Sequence, residues 1–288
     1  MIMNVQLHGL KMDLNKKGYG MYKTEQELAG IRKLKKELTE ELWYLEILER
    51  GGVIGKECDI YTDQLDEFKR IKKKYTDLTY NEYWSNQQNW SLSSLYPERY
   101  KNQQEFFEQY FIPLLDQTQY VCDLASANGE WSMKVAPYVN AIDGFEYASG
   151  MVEFANKEAE KKGILNARFY QADACALQFD KLYDNFMMMG LLTCIFDDSD
   201  ALNIVRKVYQ AIRKGGHLIV KDSMNVAGED VIYLYNFLSR YDAIYRSKEQ
   251  YYKLFEQAGF VMERDTVFHE VDKAGLAFES VGVIWKKE

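Results

Sequence analysis

Tyr120-Val-Cys-Asp-Leu-Ala-Ser-Ala-Asn-Gly129-Glu130 is the stretch on which the reading of this chain turns. Three apolar or β-prone residues lead to an aspartate. Small residues then alternate at 125, 127 and 129, and from Trp131 the spacing of apolar residues becomes helical. A buried strand that runs through a small-residue turn into a helix has this form. The absence of bulky side chains lets a ligand approach the backbone where the first helix amides point outward.

Outward from that point the pattern repeats. The apolar runs 120–124, 141–147, 167–172, 185–189, 217–221 and 261–268 alternate with helix-like stretches at 131–138, 150–162, 200–213 and 248–258. Such alternation predicts a parallel sheet with helices on both faces. The last run, 278–286, follows its neighbour after a connection too short for a parallel crossover, so it is predicted to be antiparallel. Ligands of such sheets bind beyond the carboxyl ends of the strands, near the switch point beside the first strand. There the second strand ends in Gly144-Phe-Glu-Tyr147, and Glu146 lies about twenty residues past the loop, where a carboxylate accepts from a ribose diol. The third ends in Gln171-Ala-Asp-Ala174, where Asp173 can accept from an exocyclic amine. Each feature alone is weak, but three in order at successive strand ends are not.

Together, Asp123-Leu-Ala-Ser-Ala-Asn-Gly129, Gly144-Phe-Glu-Tyr-Ala-Ser-Gly-Met151 and Gln171-Ala-Asp-Ala174 resemble the successive motifs of class I S-adenosylmethionine-dependent methyltransferases. Tyr183-Asp184, Arg213-Lys-Gly-Gly216 and Glu256-Gln-Ala-Gly-Phe260 extend the resemblance over about residues 118–288. It implies a seven-stranded, mostly parallel Rossmann-like sheet with an antiparallel last strand, and S-adenosyl-L-methionine as cofactor. It further implies that Asp123, Ala125, Ala127 and Gly129 cradle the methionine end and that Glu146 holds the ribose. Tyr147 and Met151 would flank the adenine, and Asp173 with Ala174 would meet its edge. Met189 and Gly190 would line the pocket near the sulfonium. The family usually has glycine where this chain has Ala125 and Ala127, which implies weaker binding or a differently shaped loop.

Before the core, residues 1–78 are expected to form a helical, coiled-coil-like hairpin, and 79–117 a lid and linking helix. Thr24-Glu-Gln-Glu27 is a capping box, and Leu28, Ile31, Leu38, Leu42 and Leu45 follow at 3–4 spacing until Gly51-Gly52. A second helix is expected over Asp63–Tyr75. The hairpin either mediates homo-oligomers or packs on its own core. The aromatic stretch 80–100 carries Tyr83, placed to reach the cofactor carboxylate. The insert Asn225–Ser247 is read as a substrate wall that offers Tyr241 and Arg246.

An oxygen acceptor calls for a base. His269, at the carboxyl end of the sixth strand, is the candidate, and Asp222 after the fifth is placed to bind a substrate hydroxyl or amine. His217 begins its strand at the opposite end and reads as structural. No metal site is expected, because the four cysteines are scattered with no CxxC pair. A net charge of −8, from 36 basic and 44 acidic residues, disfavours nucleic acid and anionic membranes as partners. The start lacks a basic segment followed by an apolar stretch, and the longest apolar run is about half the ~20 residues that span a bilayer, so the expectation is a cytoplasmic protein. The sequence thus points to an enzyme that methylates oxygen or nitrogen of a small molecule, with a sugar or nucleotide-linked sugar as the guess from its Tyr- and Trp-rich walls. The alternatives are a protein or peptide methyltransferase and a cofactor-binding assembly factor without turnover.

Overall fold

In the computed structural model, the described residues are 80–87, 97–226, 231–236, 241–273 and 276–288, with Val53–Ile54 and scattered positions between Ala29 and Leu42. The chain divides into two compact units, Met1–Trp43 and Tyr44–Glu288. The division falls within the stretch read as one long helix, not at residue 78. In the first unit the described positions, among them Leu38 and Leu42, are helical and exposed. The rest of the expected seam and the expected helix over 63–75 lie outside the described residues, and so does any test of self-association.

In chain order the second unit comprises β1 (Val53–Ile54), α1 (Tyr80–Ser85), α2 (Pro97–Phe106, extended by a π turn and a 3-10 turn to Leu114) and β2 (Tyr120–Leu124). Then come α3 (Glu130–Val135), β3 (Ala141–Glu146), α4 (Ser149–Lys161), β4 (Ala167–Gln171) and β5 (Tyr183–Met189). The remainder is α5 (Asp198–Ala211), β6 (Ile212–Asn225), β7 (Val231–Asn236), β8 (Tyr241–Arg246), α6 (Lys248–Ala258), β9 (Val261–Lys273) and β10 (Leu276–Lys286). The main sheet has seven strands in the order β4-β3-β2-β5-β6-β10-β9. Strands β4 to β6 are parallel neighbours, and β10 runs antiparallel to both β6 and β9, as its short connection requires. This is the expected Rossmann-like sheet.

A strand buried on both faces needs apolar residues at both parities, and Phe186, Met187 and Met188 of β5 meet that need by entering two different cores. One core, on the α5 and α6 side, gathers Leu124, Phe186, Val205, Val220, Phe255 and Trp285, with Phe255 stacked on Trp285 at 4.9 Å. The other, on the α2, α3 and α4 side, gathers Val121, Ile142, Phe169, Met187, Ile219, Phe106 and Phe268. The order of strands brings the carboxyl ends of β2 and β5 side by side, which creates the crevice where the signature residues converge.

The insert after β6 contains two strands. β7 and β8 pair antiparallel, and β1 adds to β7, making a separate three-stranded sheet. Residues 53–54 follow Gly51-Gly52, whose turn character masked a two-residue strand; no strand this short carries a periodic signal.

Candidate active site

The loop after β2 is the floor of the site. Its three small residues Ala125, Ala127 and Gly129 have φ of 68°, 47° and 76°, all left-handed. Alternating left-handed residues turn successive amides to one side, and such a nest suits an anionic or electron-rich group. Gly129 is needed on a second count: a Cβ there would lie 2.6 Å from the Phe169 ring, which wedges beneath the loop. The two alanines hold a shape natural to glycine. The loop therefore carries the backbone cost of that shape, on the order of 1–2 kcal/mol per alanine.

Two acids frame this floor. Asp123, 1% exposed, accepts from Ser132 Oγ at 2.5 Å through Oδ2, while its buried Oδ1 has no hydrogen-bond partner among the described residues. Burial above all, and then the charge of Glu146, push its carboxyl up to about 7, against the Ser132 bond. A buried carboxylate oxygen left open beside a nest fits the ammonium of a methionine moiety. Glu146, at the end of β3, accepts from Ala127 N and Ala148 N, both at 2.9 Å, so one side chain couples the loop after β2 to that after β3. Burial raises it and these amides oppose the rise. Its remaining lone pairs fit a ribose diol.

Around the expected adenine, Tyr147 is 44% exposed, whereas Met151 is buried in the first turn of α4. Asp173 is exposed and also bonds locally: its Oδ1 accepts from Cys175 N at 2.8 Å, and its backbone oxygen accepts from Ala176 N and Leu177 N. The loop it opens is pinned from α5 by Lys207, whose Nζ donates to the carbonyls of Ala174, Cys175 and Leu177 at 2.9, 2.9 and 3.0 Å. Met189 ends β5, and Gly190, φ 90°, follows with open space where a Cβ would stand; its N–H donates to Lys221 O at 2.7 Å. Tyr83 sits on α1, next to Trp84 at 5.2 Å. That helix is anchored to the adenine side of the site by Asn81 Nδ2, which donates to Tyr147 O at 3.2 Å, and by Ser85 Oγ, which accepts from Gly150 N at 3.1 Å.

The residues offered for the acceptor fare differently. His269 stands in register with Ser280 of β10, which in turn stands opposite Ser223 of β6, so all three share one level near the carboxyl end of β6. Asp222 is buried and committed: Oδ2 accepts from Leu192 N at 3.1 Å and Tyr251 Oη at 3.2 Å, and Oδ1 from Ser223 N. It braces the turn after β5, and its carboxyl is raised chiefly by burial. Arg246 is a correction to the substrate-wall reading. At 2% exposure it turns inward, with Nη1 on Leu192 O and Nη2 on Ile195 O, both at 2.9 Å, and Nε on Asp198 Oδ1 at 2.7 Å. A guanidinium with those donors committed is a clamp between β8 and the turn after β5. Of Tyr241 the structure fixes the place in β8, paired with Asn236. His217 pairs with Glu263 at 3.2 Å at the far end of the sheet.

Sequence reasoning missed Lys207, Asn81, Ser85 and the bond from Arg99 Nη2 to Ser223 Oγ at 3.2 Å, because each acts across more than twenty residues of chain. Among the described residues no group of three or more His, Cys, Asp or Glu could hold a metal ion, and no helix is long and apolar enough to cross a membrane.

The sheet order, the left-handed loop and the two framing acids define a Rossmann-like cofactor-binding domain. Residues 121–216 match the methyltransferase-domain family. The chain is 28% identical over 141 residues to an uncharacterized methyltransferase, YcgJ of Bacillus subtilis, covering 47% of this chain and 54% of that one. It is 22% identical over 102 residues to the demethylmenaquinone methyltransferase of Lactococcus lactis, covering 34% of this chain and 40% of that protein. The chain thus spans about half the length, or less, of these curated relatives. In fold it is similar to the crystal structure of the N-methyltransferase NodS from Bradyrhizobium japonicum in complex with S-adenosyl-L-homocysteine. That match has a TM-score of 0.53 at 13% identity and covers 71% of this chain and 94% of that one. Residues 121–216 thus match a methyltransferase domain, and the sheet around them is similar in fold to solved S-adenosylmethionine-dependent methyltransferases, whose cofactor is S-adenosyl-L-methionine.

Proposed function

We propose that this chain transfers a methyl group from S-adenosylmethionine to oxygen or nitrogen of a small molecule. The carrying observation is the left-handed Ala125–Gly129 loop bridged by Glu146 and flanked by the open Oδ1 of Asp123. When bound, the cofactor supplies an electrophilic methyl on a sulfonium. The protein aligns an acceptor in line with that methyl and excludes water. Asp123 would receive the ammonium, Glu146 the ribose hydroxyls, and Tyr147 would cover the adenine while Asp173 with Ala174 would meet its edge. Asp173 shapes that loop through its local bonds. Met189 and the open space at Gly190 leave room for the methyl. Tyr83 approaches the methionine carboxylate from α1, and His269 takes the acceptor proton where the acceptor is a hydroxyl.

The acceptor is proposed to be a sugar or nucleotide-linked sugar, and the protein to act in the cytoplasm; the acidic net charge supports a partner other than nucleic acid. Calorimetric titration with S-adenosylmethionine and S-adenosylhomocysteine, with Glu146→Ala as control, tests the site. Micromolar binding lost in the control is expected; a folded wild type that binds neither overturns the reading. An unchanged rate in His269→Ala, once an acceptor is in hand, removes the base role alone.

A further inference from the structure

A second cluster, separate from the cofactor loop, lies where α2 crosses β6 and β10. Directly opposed residues of antiparallel strands project to the same face. Ser223 opposes Ser280, and Lys221 opposes Gly282. A Cβ on Gly282 would meet Phe268 at 2.2 Å and Phe106 at 3.0 Å, so this is the face that α2 covers. Arg99, one turn before Gln103 on α2, reaches it directly: its Nη2 donates to Ser223 Oγ at 3.2 Å.

Two cations therefore share a mostly buried corner, and Lys221 is also the strand neighbour of Met189, beside the expected sulfonium pocket. Burial first, and Arg99 second, push the Lys221 ammonium down to about 7; Asp222 and Cys194 oppose this. The Asp222 carboxylate is held elsewhere by Leu192 and Tyr251. Ser280, 2% exposed, has a hydroxyl without a partner among the described residues, as has the carbonyl oxygen of buried Gln103. A buried hydroxyl donor left open beside two like charges calls for an acceptor-rich anion, which would satisfy the hydroxyl and relieve the repulsion together.

We propose that Arg99, Lys221, Ser223 and Ser280 form an oxyanion-binding subsite for the methyl acceptor, which therefore carries a carboxylate or a phosphoryl or sulfuryl group near the methylated atom. This rests on the methyltransferase reading above and narrows its substrate class. With the anion bound, the lysine is held protonated, and the two cations grip the anion from β6 and α2.

The test is calorimetric titration of the full chain, loaded with S-adenosylhomocysteine, with sulfate and separately with acetate. Neither anion titrates between about pH 6 and about pH 8.5, so any pH dependence belongs to the protein. Saturable binding of at least one is expected, about tenfold tighter at the lower pH. Preference for sulfate marks a phosphoryl or sulfuryl group, and preference for acetate a carboxylate. Lys221→Met should bind the anion about tenfold more weakly and lose the pH dependence, with unchanged affinity for S-adenosylhomocysteine. Lys221→Arg should keep anion binding and lose only its pH dependence, because arginine does not titrate in this range. Anion binding by Lys221→Met equal to wild type overturns the subsite, as does its absence in loaded wild type. Competition between anion and S-adenosylhomocysteine also overturns it, since the pair would then hold the cofactor's own carboxylate. Failure to bind S-adenosylhomocysteine at all is read separately, and overturns the methyltransferase reading along with the acceptor assignment.

Discussion

Asp123→Asn separates stability from binding at the centre of the site. The wild-type carboxyl is raised from the ordinary aspartate range to about 7 by burial and by Glu146. A group raised in the folded state stabilises the protein below its unfolded value and loses that contribution as pH climbs through its folded value. The window here therefore runs from about pH 4 to about pH 7. Across it the cofactor-free protein forfeits up to ~4 kcal/mol, at 1.36 kcal/mol per tenfold change in proton affinity. Asparagine keeps the Ser132 hydrogen bond but never ionises. In urea denaturation the cofactor-free variant should match wild type at about pH 3 and exceed it increasingly up to about pH 8, by an amount bounded by that ~4 kcal/mol. Cofactor binding should move the other way. Wild-type affinity for S-adenosylhomocysteine should rise with pH up to about 7 and then level, as the ammonium draws the proton off Asp123, whereas the variant binds at least tenfold more weakly with no such rise. A variant that is less stable than wild type at about pH 8, or that keeps the wild-type pH dependence of binding, refutes the assignment of the buried charge to this residue.

Three further outcomes follow from the same geometry. Ala125→Gly and Ala127→Gly relieve left-handed backbone at φ 68° and 47°, offset by glycine's greater freedom when unfolded; each should stabilise by about 0.5–1 kcal/mol in thermal melts. Arg246→Met deprives two carbonyls and Asp198 of their donor and should cost about 3 kcal/mol in urea denaturation, with Arg246→Lys intermediate. Lys207→Met frees three carbonyls of the 174–177 loop; amide exchange there should quicken, and S-adenosylhomocysteine binding should weaken by about tenfold while β5 stays protected.

The parts of this protein that local sequence determines are those governed by short-range rules. Alternating apolar runs produced the seven strands, because burial on both faces demands apolar residues at both parities, as in Phe186-Met187-Met188. The short connection before β10 forced its antiparallel sense, and the acids at 123, 146 and 173 were visible as strand-end residues. Whether Ala125 and Ala127 would spoil the loop was undecidable locally. The tertiary structure imposes left-handed φ on both, with Phe169 beneath the loop and Glu146 across it. The fates of long polar side chains were likewise invisible. Arg246 and Asp222 read as substrate contacts because they follow the fifth strand, yet the turn after β5 supplies orphan backbone groups that draw both inward. Arg99 and Ser223, more than a hundred residues apart, meet only because α2 lies across β6. Backbone periodicity is a property of neighbours along the chain, whereas which charge faces which hydrogen-bonding group is settled by packing between elements, and that part of the chemistry belongs to the folded molecule.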